Sequence, residues 1–460
     1  METFIMVAQL ILGLSILVSL HEFGHFITAK WFGMRVHKFY LFFDFLFPLP
    51  NVLNFALFKK KVGDTEYGLG WFPLGGYVSI AGMIDETQEA KDLAATPEPW
   101  EFRAKPAWQR LIVMLGGVIV NVILGVFIFI CLTKSNGENY TPMSEVNKRG
   151  IAAYELGQYA GLKTGDKILK TNGKDLIKFE DIRSSDILMG DKSYFTVDRG
   201  GKIMDVYLPD DFLNKLADNK AEFVAPIYHF EVKEVEPSLQ KGSNEEDAIS
   251  PAAKAGIKPG DKIVAFNNKP IEFYHEFKQA LNENKGKKIT MVINRAGQLD
   301  SLNLSVTDKG RTGIVAVMKD DELKPVHEDL TLSQSISIGT SRAFSVITDN
   351  MKGFGKIFSG KVRADKALSG PIEIAQMYGS VWDWNRFWML TGLLSMALAF
   401  MNLLPIPALD GGHAVFLIYE MIVGKAPSEK FMERAQAVGT FILLGLMIFV
   451  IGNGIFKSFN

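Results

Sequence analysis

The sequence is short of cysteine and has no excess charge of either sign. Cys131 is the only cysteine among 460 residues, so the chain has no internal disulfide and each folded part depends on its own core. Fifty lysine and arginine residues balance 51 aspartate and glutamate residues, which gives a formal net charge of -1. This balance creates no bulk positive field and therefore no indication of nucleic-acid binding.

Charge is also absent from four long apolar stretches. They contain 18, 22, 23 and 22 residues and run from Thr3 to Leu20, from Leu111 to Leu132, from Phe387 to Leu409 and from Ala435 to Phe456. At about 1.5 Å per helical residue, each can cross roughly 30 Å of hydrocarbon. The sequence therefore predicts a polytopic α-helical membrane protein with about four spans. The first stretch lacks a basic flank and a small-residue cleavage site, so we expect it to be retained.

The two short connections between these stretches carry lysine and arginine, whereas the residues before the first stretch carry neither. The first connection includes the lysine triplet at 59–61, and the last includes Lys425, Lys430 and Arg434. Under the positive-inside rule, both connections face the cytoplasm. The long segment between the second and third stretches is then predicted to be extracytoplasmic, as are both termini.

The long extracytoplasmic segment contains an internal repeat. The sequence AGLKTGDKILKTNGKDL, from Ala160, aligns with AGIKPGDKIVAFNNKPI, from Ala255, at a constant offset of 95 residues. The repeat predicts two copies of one small α/β unit, each with a Gly-Asp turn, alternating strands and an Asn-rich hairpin turn. A helix is predicted over EFYHEFKQALNEN in the second copy.

The end of the first apolar stretch carries a His-Glu-x-x-His pattern. In a helix, His21 and His25 lie one turn apart on one face, where both imidazoles can bind one zinc ion, and Glu22 lies beside them, where it can act on a zinc-bound water. An ionisable group deep in a bilayer costs roughly 2.5 to 3.5 kcal/mol on insertion scales, and a bound metal offsets this cost. The pattern therefore predicts a zinc site, with interfacial or core histidines as the alternative.

A catalytic zinc site needs a third protein ligand and an open position for water. Asp410 closes the third apolar stretch, and a count of about 1.5 Å per residue along both spans brings it to a depth similar to that of His21. Asp410 is therefore the predicted third ligand. His413 is the rival, although it follows the glycine pair at 411–412 and also fits a structural or interfacial role.

Several motifs together resemble the site-2 protease family of intramembrane zinc metalloproteases. They are HEFGH at 21–25, PLGGYVSIAGMIDE at 73–86, the tandem repeat, LSGPIEIAQ at 368–376 and NLLPIPALDGGH at 402–413. The resemblance implies that His21, His25 and Asp410 bind zinc and that Glu22 is the catalytic base. It also implies that Asn402 positions the substrate, with helix packing as the alternative role for this amide.

One motif departs from the family pattern. The stretch GGVIVN, at 116–121, keeps Gly117 and Asn121 but has Val118 where the family often has proline. This difference leaves the predicted zinc ligands unchanged, whereas the local geometry of the second span stays open.

The repeat units resemble the PDZ domains of bacterial membrane and periplasmic proteases. PDZ domains bind extended peptides at a sheet edge. The alternative role for these units is a spacer or size filter. The Gly-Asp pairs fit the formation of tight turns. The predicted parts of the chain are residues 1–135 with two spans and a cytoplasmic membrane-associated β-hairpin, 136–225 and 226–312 with two extracytoplasmic PDZ-like α/β domains, 313–385 with an amphipathic helix, and 386–460 with two spans. The amphipathic helix is expected on the outer membrane surface, with packing against a partner as an equal alternative.

The resemblance implies a zinc-dependent endopeptidase of the bacterial inner (cytoplasmic) membrane, with its active site near the cytoplasmic face. The expected partners are the lipid bilayer, extended peptides at the PDZ-like domains, and single-span substrates trimmed beforehand, such as anti-sigma factors or remnant signal peptides. The β-rich cytoplasmic loop is expected to pair with an unwound substrate or to act as an interfacial anchor. Two alternative functions remain. The first is a zinc-binding scaffold without turnover, and the presence of Glu22 argues against it. The second is a transporter or channel, which a repeat of one half of the membrane part would favour.

Overall fold

The computed structural model describes residues 2–45, 53–73, 75–83, 96–218, 222–239, 249–319 and 322–459. The helices are α1 (Glu2–Trp31), α2 (Ala107–Asn136), α3 (Met143–Val146), α4 (Glu155–Tyr159), α5 (Ser185–Leu188), α6 (Phe212–Asp218), α7 (Pro251–Lys254), α8 (Tyr274–Glu283), α9 (Leu332–Phe358), α10 (Ala364–Ala367), α11 (Pro371–Tyr378), α12 (Trp384–Leu403), α13 (Asp410–Val423) and α14 (Glu429–Phe459). Short 3-10 helices are found at Phe102–Ala104 and Phe179–Arg183.

The strands are β1 (Val36–Tyr40), β2 (Ala56–Val62), β3 (Thr65–Gly70), β4 (Tyr77–Ile80), β5 (Glu138–Tyr140), β6 (Ile151–Ala153), β7 (Lys167–Thr171), β8 (Lys174–Asp175), β9 (Tyr194–Arg199), β10 (Lys202–Tyr207), β11 (Val224–Pro226), β12 (Phe230–Val235), β13 (Lys262–Phe266), β14 (Lys269–Pro270), β15 (Lys288–Arg295), β16 (Gln298–Ser305), β17 (Ile314–Met318) and β18 (Val326–Glu328). The chain divides into two compact units. We call Met1–Gly137 with Asp329–Asn460 the membrane unit, and Glu138–Glu328 the repeat unit.

Four helices among the described residues are long and apolar enough to cross a membrane, which agrees with the predicted number of spans. They are α1, α2, α12 and the segment Lys430–Lys457 of α14. Helix α1 continues beyond Leu20, so the His-Glu-x-x-His pattern lies within one continuous helix. Helix α12 ends at Leu403, earlier than the predicted span, because Pro405 and Pro407 lack the backbone N–H that would continue it.

Glycine residues bring α1 and α2 into close contact. A Cβ atom added at Gly24 would overlap Gly116 O, and one added at Gly116 would lie 2.5 Å from Gly24 O. Only glycine at both positions permits this helix crossing. The opposite end of α1 packs in an apolar cluster with α11 and α12, where Leu10, Tyr378 and Phe387 are buried.

The loop after α1 forms a four-stranded sheet instead of an isolated hairpin. Its order is β2-β3-β1-β4; β2 and β3 form an antiparallel hairpin, and β1 pairs in parallel with β3. Val36 and Ile80 pack against Ala29 near the end of α1, so the sheet is fixed to the helix that carries both histidines. The structure describes the predicted membrane-associated segments only in part, since residues 46–52, 74 and 84–95 lie outside the described residues.

Helix α9 is the predicted amphipathic helix, and one of its sides packs on other helices of the membrane unit. Ala343 is fully buried in a cluster with Phe129 of α2 and Met396 of α12. A Cβ atom added at Gly339 would lie 2.7 Å from the Ile130 Cα, so small residues bring α9 against α2. One side of α9 is therefore covered by protein, whereas its apolar residues Ile336, Phe344 and Met351 are 47%, 46% and 58% exposed. A position of this exposed side at the membrane surface stays a prediction.

The two copies of the repeat form sheets with the same strand order. The order is β8-β7-β9-β10 in the first copy and β14-β13-β15-β16 in the second. Helix α8 lies within its predicted range, whereas the first copy has a 3-10 helix and the short α5 between the corresponding strands. Strand β17 pairs with β12 and β18 pairs with β5, so the unit continues to Glu328, beyond the predicted boundary at residue 312.

Each copy also contains the same buried ion pair. Arg199 donates through Nε and Nη2 to the two carboxylate oxygens of Asp166, at 2.7 Å each, and Arg295 does the same to Asp261. Both aspartates are only 1% exposed. Burial by itself raises the pKa of Asp261, but the hydrogen bonds from Arg295 and from the Lys258 backbone N–H offset it, and the pKa lies below its usual range.

We predict that Arg295→Met lowers the free energy of local opening of β13 and β15 by about 2 kcal/mol, because Asp261 stays buried without its charged donor. Hydrogen–deuterium exchange of the full-length chain measures this change at the amides of these strands. Arg311→Met is the matched control, since Arg311 and its partner Glu236 are 53% and 36% exposed and their ion pair contributes at most about 1 kcal/mol. Equal protection in wild type and Arg295→Met would contradict the prediction.

The same pair predicts a pH dependence. Because the pKa of Asp261 is lower in the folded state than in the unfolded state, its contribution to stability is complete above the ordinary Asp range and is lost as the pH falls below about 4. The protection of β13 should therefore fall with pH in the wild type. In Arg295→Met this dependence should be much weaker, and an unchanged pH profile would argue against the assignment.

Candidate metal centre

Helix α1 presents two buried imidazoles to α2. His21 and His25 are 8% and 9% exposed, and their Nε2 atoms lie 3.2 Å apart. His25 Nδ1 lies 2.8 Å from Val113 O, a carbonyl that can only accept a hydrogen bond. In the neutral imidazole the proton must then be on Nδ1, which leaves a lone pair on Nε2.

The Asn121 side chain holds His21 in a similar way. Its amide Nδ2 lies 3.2 Å from His21 Nδ1, while its Oδ1 is buried and has no hydrogen-bond partner. Rotation of the amide by 180° exchanges the two atoms, so that Oδ1 accepts from the Nδ1–H of His21. Ser395 of α12 donates to Asn121 O at 2.8 Å and so links this part of α2 to α12. The sequence motif that contains Asn121 gives no indication of this role.

Asp410, at the start of α13, completes a cluster of three donor atoms. Its Oδ2 lies 3.3 Å from His21 Nε2 and 3.5 Å from His25 Nε2, and it is buried without a hydrogen-bond donor. Ligands placed tetrahedrally at about 2.0–2.1 Å from a zinc ion are separated by about 3.3 Å. The three atoms therefore have the spacing that one face of a tetrahedral zinc site requires, with the fourth position left for water or substrate.

The chain before Asp410 folds back tightly on the start of α13. A Cβ atom at Gly411 would overlap Leu404 O, and one at Gly412 would overlap Ile406 O, so the glycine pair permits this reversal. Ala408 has a φ of 95°, a conformation that a side chain disfavours and that surrounding contacts must enforce. The loop thus turns Asp410 toward α1.

An ion pair holds α13 against α2. Arg110 Nη2 contacts Glu420 Oε1, and these side chains are only 14% and 19% exposed. Arg110 Nε also donates to Lys105 O at 2.9 Å. The half of the molecule that carries Asp410 is therefore fixed to the helix that orients both histidines.

The other predicted site residues fall at different distances from this cluster. Asn402, near the end of α12, has its Nδ2 3.4 Å from His21 Nε2, so the structure brings it to the site. Glu22 directly follows His21 on α1 and is half-buried. His413 lies on α13 one turn after Asp410, and among the described residues the potential metal ligands are His21, His25 and Asp410.

The glycine at 117 explains how α2 can lie against both rings. A Cβ atom there would be 2.5 Å from His21 Cε1 and 2.6 Å from His25 Nε2. Helix α2 continues through Val118, the position where the family pattern has proline, and this valine is 7% exposed. The departure from the pattern therefore leaves the helix unbroken.

Comparison with known proteins gives matches along nearly the whole chain. A protein of Neisseria meningitidis serogroup A that carries a zinc metalloprotease name is 29% identical over an alignment of 476 positions, gaps included, which covers 97% of each chain. The regulator of sigma-E protease RseP of Salmonella typhimurium is 28% identical over 475 alignment positions, and that of Escherichia coli K12 is 27% identical over 468; each alignment covers 98% of both chains.

The model of peptidase family M50 matches residues 9–446. This family is zinc-dependent, and its relatives carry the name zinc metalloprotease or RseP. The four apolar helices and the family match identify an integral membrane protein. The chain belongs to peptidase family M50 and is a zinc metalloprotease.

Proposed function

We propose that this protease cuts the transmembrane segment of single-span membrane proteins, at a zinc ion held by His21, His25 and Asp410. The observation that carries the proposal is the triangle of three donor atoms, separated by 3.2 to 3.5 Å, at the end of a helix long enough to span a membrane. The contacts of Val113 and Asn121 with the two Nδ1 atoms support this assignment, because they direct both Nε2 lone pairs to one point.

Glu22 is the proposed general base. A zinc ion at this site supplies Lewis acidity toward water and the scissile carbonyl. Glu22 accepts the proton of the attacking water and delivers it to the leaving amine, as its position between the two histidines on α1 permits. A scaffold without turnover has no use for such a base.

Asn402 is the proposed oxyanion donor or substrate-positioning residue. Its Nδ2 lies 3.4 Å from His21 Nε2 and comes from α12, whereas the groups that contact the two Nδ1 atoms come from α2. An amide N–H is neutral and can donate either to the developing oxyanion or to an extended peptide backbone. It would do so without competing for the metal.

The substrate helix must unwind before it can be cut, because its peptide bonds are shielded by internal hydrogen bonds. Within the described residues, the sheet after α1 ends at β2 and β4, each paired on one side. We infer that an unwound substrate pairs with such an edge, which replaces its lost hydrogen bonds. The attachment of this sheet to α1 near His25 favours the idea.

The repeat unit is the proposed substrate filter. Two PDZ-like copies outside the cytoplasm would exclude proteins with bulky outer domains and bind extended peptides, so that another protease must trim the substrate first. Two relatives are named for regulation of sigma-E, which favours anti-sigma factors as substrates; remnant signal peptides are further candidates. The proposal places the protein in a bacterial cytoplasmic membrane, with the metal centre near the cytoplasmic face.

We predict that Glu22→Gln lowers cleavage of a trimmed single-span reporter by at least about 100-fold, because the general base is lost while the metal ligands remain. Purified protein in detergent is assayed for cleavage and for zinc content, with and without a chelator. Zinc content should be unchanged, and Glu2→Gln, on the same helix, should cleave like wild type. Wild-type cleavage by Glu22→Gln would rule out the proposed role.

Substitution of each of the two candidate ligands on α13 should show which of them binds zinc. Asp410→Asn is expected to lose most bound zinc and all cleavage, because an amide is a poor zinc ligand. His413→Asn should retain zinc. Metal analysis after gel filtration measures both, and thermal unfolding of each variant checks that it is folded. Zinc loss in His413→Asn with retention in Asp410→Asn would reverse the assignment.

For Asn402→Ala we expect kcat to fall by about 100-fold with KM nearly unchanged, as for loss of an oxyanion donor. Zinc content should stay at the wild-type level. Asn385→Ala, at the other end of α12, is the control and should leave both constants unchanged. A purely structural amide would instead show reduced thermal stability in Asn402→Ala with little change in kcat.

A further inference from the structure

Strand β2 lies at one edge of the sheet after α1 and is exposed along most of its length. Its partner strand among the described residues is β3, and six of its seven residues are exposed. Leu57, Phe58 and Val62 are 65%, 61% and 55% exposed, and Phe55, just before the strand, is 51% exposed. Exposed apolar edge strands associate with other apolar material, so we expect β2 to be covered in its native setting.

The second half of β2 is basic. Lys59, Lys60 and Lys61 follow one another, and all three are exposed. Because successive residues of a strand alternate between its two faces, the ammonium groups extend from both faces of the sheet edge. In the part of the chain that the structure describes, no ion pair or hydrogen bond is found for these three groups.

The acids of the β2–β3 hairpin do not offset this charge. Asp64, in the turn, pairs with Arg35, whose Nε lies 3.2 Å from Asp64 Oδ2. Glu66 lies opposite Lys61 in the ladder, and its Oε1 accepts from Tyr40 OH at 2.7 Å. Three lysines then stand against one carboxylate, so this edge keeps an excess of two positive charges.

The position of the sheet favours a bilayer as the cover. The ring of Tyr67, on the strand next to β2, lies 5.9 Å from that of Phe26, near the end of the first apolar span. Trp31, the last residue of α1, is 81% exposed, and exposed tryptophans at the ends of spans are typical of the level of the lipid headgroups. Lysine on an edge strand also hinders pairing with a second strand, so lipid suits β2 better than an extended peptide.

We propose that β2 binds the headgroups of anionic phospholipids in the surrounding bilayer. Lys59, Lys60 and Lys61 contact the lipid phosphates, and Leu57 and Phe58 lie among the upper acyl carbons. A soluble anion would neutralise the lysines but leave the apolar half of the strand in water. Lipid composition then controls the order of a sheet that is fixed to the helix of His21 and His25, without any part in the proposed proteolysis.

The test is hydrogen–deuterium exchange of the full-length protein in lipid nanodiscs, which requires no protease activity. The bilayers are phosphatidylcholine alone or an equimolar mixture of phosphatidylcholine and phosphatidylglycerol. Phosphatidylglycerol should slow exchange at the amides of β2 and β3 by about fivefold, because each lysine near an anionic surface adds to the binding free energy. The triple variant Lys59→Gln/Lys60→Gln/Lys61→Gln should lose this effect.

A second triple variant is the matched control. Lys285→Gln/Lys287→Gln/Lys288→Gln removes the same charge from three exposed lysines of the repeat unit. It should respond to phosphatidylglycerol like wild type. Zinc content and thermal unfolding are measured for both variants and should match wild type.

Equal exchange of β2 and β3 in the two bilayers would overturn the proposal, and so would an undiminished lipid effect in the variant at 59–61. The same slowing by inorganic phosphate in phosphatidylcholine would identify a simple anion site, and slowing by a single-span reporter alone would assign this edge to substrate. If the variant at 59–61 unfolds, salt decides the question in wild type. The effect of phosphatidylglycerol must then shrink at high ionic strength, because screening weakens the contact between lysine and phosphate.

Discussion

The metal centre depends on how closely α1 and α2 approach each other. Gly24 and Gly116 allow backbone contact at the crossing, and Gly117 leaves room for two imidazole rings where any side chain would overlap them. At this separation Val113 O and Asn121 reach the Nδ1 atoms of His25 and His21. A wider crossing would leave both imidazole rings free to rotate. The glycines therefore affect the metal centre through the orientation of these rings.

The second constraint is the loop that delivers Asp410. Proline residues end α12 early, the glycine pair at 411–412 lets α13 begin directly against that loop, and Ala408 takes a strained φ. Helix α14 supports the loop from outside, since a Cβ atom at Gly439 would overlap Pro407 O. The carboxylate is therefore held by a rigid, strained turn between two helices, and strain of this kind is common at functional sites.

The features that follow from spacing and length were predictable from the sequence. Four uncharged stretches indicate four spans, a four-residue separation puts His21 and His25 on one helix face, and counting residues along two spans brings Asp410 to a similar depth. Features that depend on which surfaces pack together were not predictable from the sequence. An amphipathic pattern fits protein or lipid equally, so the packing of α9 on α2 was open, and a lone amide such as Asn121 gives no signal until its neighbour is known.

The sheet after α1 was missed for a related reason. Strand pairing joins residues far apart in the chain, so a pattern read locally favoured one hairpin where β1 to β4 form one sheet. The sequence repeat, in contrast, reappears as two sheets of the same order because each copy forms its own local core.

The order of the proposed ligands along the chain has a consequence for biosynthesis. His21 and His25 are made first, whereas Asp410 is made only after the whole repeat unit and α12. A nascent or prematurely terminated chain has two histidines but lacks the carboxylate that completes the triangle. Newly made chains therefore stay inert toward neighbouring membrane proteins until translation is almost finished, so the connectivity itself delays activity without a separate propeptide.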